Sequence, residues 1–195
     1  MRIIAGKAKG TRLKMVPGKH VRPTADRVKE SLFQVIGPFF DGGMALDLFA
    51  GTGALGLEAL SRGLDKAVFI DSSRTSCDVI RMNAGASKLS DFVEVYRNDV
   101  QRALPLLKKR RLQFDYIFLD PPYKKNLLAP TIEKISKHGL LKEEGLIVAE
   151  HEAECVPPEE IGAFRRYRLL NYRDTSISLY EWGEPSESGS LSGEF

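Results

Sequence analysis

Little in this sequence could cross-link it or hold a metal. Only two of the 195 residues are cysteine, Cys77 and Cys155, and they stand too far apart for a C-x-x-C pair. That excludes a disulfide-stapled scaffold and a thiolate zinc site, and it reads both thiols as packing residues of a reduced, cytoplasmic protein. His20, His138 and His151 are scattered without zinc-ligand spacing, so no metal is expected. No apolar run is long enough to span a bilayer, and Met1-Arg2-Ile3-Ile4-Ala5-Gly6-Lys7 turns polar too early for a secretory leader. There are no internal repeats. The sharpest compositional gap is local: no Asp or Glu occurs before Pro23.

The composition that remains, 43% hydrophobic with a net charge of +3, suits one sizeable domain with its own core. Residues 1–23 carry Arg2, Lys7, Lys9, Arg12, Lys14, Lys19 and Arg22, and their alternation suggests a short hairpin around Lys9-Gly10. Like charges this close repel, which points to an anionic partner, a solvated edge hairpin being the alternative. Thr24 is a candidate N-cap for a helix whose buried face is Val28, Leu32, Phe33, Val35 and Ile36. At the other end, residues 183–195 are rich in Gly, Ser and Glu and read as a disordered tail.

Between these ends strands and helices alternate. Strands are expected at 44–49, 67–71, 92–96, 114–119 and 146–149, with helices at about 53–62, 73–86, 99–110 and 126–138. Such alternation predicts an α/β fold, a parallel sheet with helices on both faces. Two further runs, Arg165 to Tyr172 and Ser176 to Trp182, read as a closing antiparallel hairpin.

The chemistry concentrates at the carboxyl ends of those strands, where ligands of open parallel sheets sit. After the first strand comes Asp47-Leu48-Phe49-Ala50-Gly51-Thr52-Gly53-Ala54-Leu55-Gly56, a glycine-rich turn of the G-x-G-x-x-G kind opening a helix. Side chains there would hold a ligand away from the backbone amides. Asp47 would repel a pyrophosphate but favour a cation, which disfavours an NAD-linked oxidoreductase and favours S-adenosylmethionine, a sulfonium with no phosphate. Phe49, Ala50, Gly51 and Gly53 are the candidate cofactor-contacting turn. Asp71, twenty residues beyond Gly51, is placed to accept ribose hydroxyls or to cap the next helix. Asp99 with the Val100 amide faces the adenine or caps a helix, and Ser72 and Ser73 are further adenine-side candidates.

Asp120-Pro121-Pro122-Tyr123 follows the fourth strand. An exocyclic base amine is a poor nucleophile because its lone pair is delocalised into the ring. The Asp120 carboxylate and the Pro121 carbonyl could accept its hydrogens and localise that pair, on a loop that Pro121 and Pro122 stiffen in advance. Tyr123 offers an aromatic face for a base removed from its stack.

Together these motifs resemble class I S-adenosylmethionine-dependent methyltransferases acting on base amines. In finer detail, Arg2-Ile3-Ile4-Ala5-Gly6-Lys7, Arg22-Pro23-Thr24-Ala25-Asp26-Arg27-Val28-Lys29-Glu30, the 47–63 segment and Asp120-Pro121-Pro122-Tyr123 occur in the order seen in the RsmD family. The resemblance covers residues 1 to about 182. It implies a Rossmann-like fold with a mostly parallel seven-stranded sheet, a basic RNA-binding arm at 1–23 and a methyltransferase domain at 24–182. It also implies methylation of a guanine N2 amine in 16S rRNA, within a small-subunit particle in the cytoplasm. The cofactor pocket would then be lined by Phe49 to Gly53, Asp71, Asp99 and Asp120, with Arg22, Thr24 and Arg27 at the substrate-side mouth. Arg2, Lys7, Lys9, Arg12, Lys14, Arg22 and Arg27 are the expected RNA contacts. A monomer, with no membrane and no metal, is expected. D-P-P-Y serves adenine-N6 methylation of DNA or RNA equally well. A non-catalytic RNA-binding or ribosome-assembly factor of the same fold is a third reading, against which the intact motifs argue.

Overall fold

A computed structural model describes residues 1–18 and 25–183. Arg22, the Thr24 cap and the tail from 184 onward lie outside the described residues. The elements run α1 (Ala25–Ile36), β1 (Met44–Leu48), α2 (Ala54–Ser61), β2 (Lys66–Asp71), α3 (Arg74–Ala86), β3 (Val93–Arg97), α4 (Val100–Lys109), β4 (Phe114–Leu119), α5 (Leu128–His138), β5 (Leu141–Glu152), β6 (Glu160–Ile161), β7 (Phe164–Asn171) and β8 (Thr175–Trp182). They build one sheet of eight strands in the order β3-β2-β1-β4-β5-β8-β7-β6. The first five pair in parallel and the last three are joined antiparallel.

The apolar runs of the central strands follow from coverage on both faces. Successive side chains alternate between two cores. Leu46, Leu48, Val68, Ile70, Ile117 and Leu119 pack with α4 and α5 residues such as Leu104, Leu107 and Ile132. Ala45, Ala67, Phe69, Phe118 and Val148 pack on the other side with Leu32, Phe33, Leu57, Leu60 and Ile80 of α1, α2 and α3. Asp47 shares the parity of Ala45, so its side chain faces α2.

Three sequence expectations change. The sheet has an eighth strand, because Gly162, at φ 59°, turns the chain so that Glu160 and Ile161 pair with Arg165 and Phe164. β5 is twelve residues long, extending both ways from 146–149, since β4 and β8 flank it and supply partners along most of its length. Cys77 is buried as expected, but Cys155 is exposed beyond the end of β5 and packs nothing away from water.

The basic arm is fastened to the domain. Arg2 and Arg12 form an antiparallel bridge, and Ile3, Ala8, Leu13 and Val16 are buried, while Lys7, Lys9, Arg12 and Lys14 are exposed. Its backbone is captured by α2: Ile4 N–H and Ala5 N–H donate to the two oxygens of Glu58 at 2.9 and 3.1 Å, and Ala8 N–H donates to Ser61 Oγ at 2.9 Å. Gly6 is required here. Its φ is +85°, and a Cβ would lie 1.8 Å from the Ser61 carbonyl oxygen. Asn83 on α3 adds a clip, accepting from Lys14 N–H and donating to the carbonyls of Lys14 and Thr52, so the arm and the glycine-rich turn share one side chain.

Candidate active site

A cavity of about 610 Å³ opens at the carboxyl ends of β1, β2, β4 and β5, beside the point where the strand order reverses between β1 and β4. Asp47, Phe49, Ala50 and Gly51 line it from β1 and its turn, as do Asp71, Ser72 and Ser73 after β2 and Asp99 and Val100 after β3. Gly53 does not line it. This glycine stands behind the turn as the N-cap of α2, at φ 77°. Phe49 is held at φ 57°, a conformation that bulky residues rarely adopt and that is concentrated at functional sites.

Each carboxylate has a distinct setting. Asp47 is 4% exposed and accepts one backbone donor, Gly56 N–H at 3.0 Å. Gly56 lets α2 approach that closely, because a Cβ there would fall 2.5 Å from the Phe69 ring. Burial pushes the Asp47 carboxyl up to about 8; the Gly56 hydrogen bond opposes this and the nearby Asp71 charge adds to it. Once ionised, such a group favours a cation and disfavours a phosphate. This buried acceptor therefore fits the ammonium and sulfonium of S-adenosylmethionine. Asp71 accepts Gly51 N–H at 2.9 Å on one oxygen and Ser73 N–H at 2.8 Å on the other, tying the turn to the start of α3. Ser73 is the residue that caps α3, through Ser76 N–H. Asp99 does cap its helix, accepting Arg102 N–H at 3.1 Å while its residue borders the cavity.

Asp120, Pro121, Pro122 and Tyr123 line the cavity from the β4 side, and a single 3-10 turn over Tyr123–Lys125 ends at Asn126, φ 46°. Tyr123 is half-buried and not a core aromatic; its hydroxyl lies 3.4 Å from Glu150 Oε1 and 3.3 Å from Thr175 Oγ1. The glycine-rich turn and the D-P-P-Y loop do not mark the far wall, where Met1 and Met15 of the arm, Val28, Lys29 and Leu32 of α1, Glu150 of β5, and Thr175 and Ile177 of β8 complete the cavity. Glu150 was legible in principle, as an acidic residue at the carboxyl end of a strand next to Asp120. The contributions of the arm and α1 depend on tertiary packing alone.

The described basic residues of the arm, Arg2, Lys7, Lys9, Arg12 and Lys14, do not line this cavity. Arg2 pairs with Asp26 at 3.7 Å, Lys7 Nζ lies 4.2 Å from the centre of the Phe92 ring, and Lys9, Arg12, Lys14 and Arg27 are exposed. No described helix is long and apolar enough to cross a membrane.

A family model described as "Conserved hypothetical protein 95" matches residues 1–181. "Putative rRNA methyltransferase YlbH" of Bacillus subtilis is 45% identical over 181 residues, covering 93% of this chain and 98% of the relative. "Ribosomal RNA small subunit methyltransferase D" of Escherichia coli K12 is 36% identical over 188 residues, covering 96% and 93% respectively. A solved structure, "Putative methyltransferase yhhF from Escherichia coli", superposes with a TM-score of 0.77 at 34% identity, covering 93% of this chain and 97% of its own. With a class I methyltransferase sheet, the D-P-P-Y loop at its rim and near full-length matches of this kind, the chain belongs to the RsmD family of methyltransferases.

Proposed function

We propose that this protein transfers a methyl group from S-adenosylmethionine to the exocyclic N2 amine of a guanine in small-subunit (16S) ribosomal RNA. The observation that carries this reading is the single cavity in which the buried Asp47 and the glycine-rich turn face the Asp120–Tyr123 loop. The relatives' names supply the substrate class.

S-adenosylmethionine supplies an electrophilic methyl group on a sulfonium. Asp47 and the turn from Phe49 to Gly51 would hold its cationic end. Asp71, already fixed by Gly51 and Ser73 N–H, would accept from the ribose, and Asp99 and Val100 would border the adenine. On the substrate side the base leaves its stack and lies against Tyr123. The Asp120 carboxylate and Pro121 carbonyl accept the amine hydrogens, so the nitrogen lone pair turns toward the reacting carbon. Asp120 would receive the proton that the amine must lose. The prolines fix these acceptors before the base arrives, so the rate gain comes from alignment and preorganised electrostatics.

The exposed Lys7, Lys9, Arg12 and Lys14, carried on a docked arm whose Met1 and Met15 wall the cavity, would hold phosphates of an RNA that extends beyond the cavity. The test is transfer of labelled methyl to small-subunit rRNA and to duplex DNA in parallel. Label in the RNA alone is expected, and label in the DNA alone overturns the substrate assignment.

A further inference from the structure

We propose that Glu150 is the residue that selects guanine. The proposal rests on the reading that the Asp120 loop receives a guanine N2 amine, and it adds what that loop leaves open, since D-P-P-Y accepts any exocyclic amine.

The argument begins with register. β4 and β5 are parallel neighbours with Leu119 opposite Ala149, so Asp120 and Glu150 are the next positions on adjacent strands. Both line the cavity. Strand separation in a sheet is about 4.8 Å, near enough for two carboxylates on neighbouring strands to converge on the adjacent donors of one base edge. Glu150 is half-buried and positioned from two sides. Thr175 Oγ1 lies 3.1 Å from Glu150 Oε1 and 3.0 Å from the His151 carbonyl, and Tyr123 OH lies 3.4 Å from the same carboxylate oxygen. The side chain meant to stack the base therefore also touches the one meant to read it. Ile177, opposite Glu150 on β8, and Leu32 give this end of the cavity apolar walls, where an unmatched polar group is heavily penalised.

Guanine presents N1–H and N2–H₂ side by side, two adjacent donors. Adenine presents N6–H₂ beside N1, a donor beside a lone pair. Two neighbouring carboxylates complement the first edge. With adenine, placing N6 at Asp120 would aim the N1 lone pair at Glu150. The assignment is thus Asp120 for the reacting amine and Glu150 for N1–H.

2-Aminopurine separates the two roles, because it keeps the N2 amine and replaces N1–H by an acceptor. The experiment compares single-turnover methylation of 16S rRNA carrying guanine or 2-aminopurine at the modified position, introduced by splinted ligation, for the intact protein and for Glu150→Gln. The intact protein should prefer guanine by about a hundredfold or more. Glu150→Gln, whose amide can donate to N1, should slow on guanine and shrink that preference at least about tenfold, while S-adenosylmethionine affinity is retained. Taking the ratio between proteins cancels the intrinsic reactivity difference of the two amines. Equal rates on both bases by the intact protein, or an unchanged preference in Glu150→Gln, overturns the role of Glu150 while leaving the methyltransferase reading in place. Methylation of adenine with guanine untouched overturns both.

Discussion

Lys29 Nζ lies 3.3 Å from Glu58 Oε2, and both side chains are buried. Arg62 bonds the other oxygen at 2.8 Å, Lys29 also donates to the Arg2 carbonyl, and Glu58 takes two arm amides. Burial lowers the Lys29 pKa while Glu58 opposes that shift. One carboxylate thus joins α1, α2 and the arm, and Lys29 borders the cavity.

Glu58→Ala should therefore do more than remove an ion pair. It leaves two buried cations and two amides unmatched, a loss of about 3–5 kcal/mol for breaking a buried pair. Chemical denaturation should show that loss. Hydrogen exchange should show residues 1–16 opening before the sheet. Arm amides as protected as in the intact protein would remove Glu58 from this role.

Asp47 gives a pH signature. Its folded-state pKa lies above the ordinary carboxylate value, so its contribution to stability is greatest in acid and is lost as pH rises toward about 8. A cationic ligand needs the ionised form, so affinity moves the other way. S-adenosylmethionine binding should tighten from about pH 6 to about pH 7.5, by up to roughly tenfold per pH unit. Asp47→Asn should bind weakly with a flat profile. Calorimetry at three pH values checks this, and a flat profile for the intact protein would contradict it.

Asp71→Ala should weaken S-adenosylmethionine binding roughly ten- to a hundredfold, the scale of a lost hydrogen bond to a charged group. Because Asp71 also accepts from Gly51 and Ser73, the melting temperature should fall too. A folded variant with unaltered affinity would take Asp71 out of the site.

For the arm, deletion is a poor probe, since Ile3, Leu13 and Val16 belong to the buried interior. Replacing the exposed Lys7, Lys9, Arg12 and Lys14 by Gln leaves that packing in place. RNA affinity should drop and its dependence on log salt should flatten by up to about four contacts' worth, with S-adenosylmethionine affinity unchanged. An unchanged salt slope would show that these charges do not touch phosphate.

The legible and hidden parts of this protein divide along physical lines. β1 and β2 could be placed to within a residue or so because each is a short apolar run ending at an acidic rim residue or a glycine turn, a pattern local in sequence. β5 exceeds the apolar run 146–149 because its ends are set by pairing: Leu141 pairs with Phe114 of β4, and Glu150, His151 and Glu152 pair with β8. That Asp47, Asp71, Asp99 and the Asp120 loop gather at one rim was legible for the same reason as β1. The opposite wall was not, because Met1, Met15 and Thr175 carry no motif and are held at the cavity by the contacts of Glu58, Asn83 and the β5–β8 pairing. Gly53 shows the limit of motif reading: it matches the glycine pattern but serves the backbone of α2 and does not face the cavity.

The most direct measurement is of the product. Small-subunit rRNA from a strain lacking the gene would be incubated with the protein and methyl-labelled S-adenosylmethionine, digested to nucleosides and resolved by mass. The label should appear in N2-methylguanosine, and Asp120→Ala should slow its formation by about 10²–10³-fold, the scale of losing one preorganised electrostatic group. Label in N6-methyladenosine, or an Asp120→Ala variant as fast as the intact protein, would contradict both the chemistry and the site assigned to it.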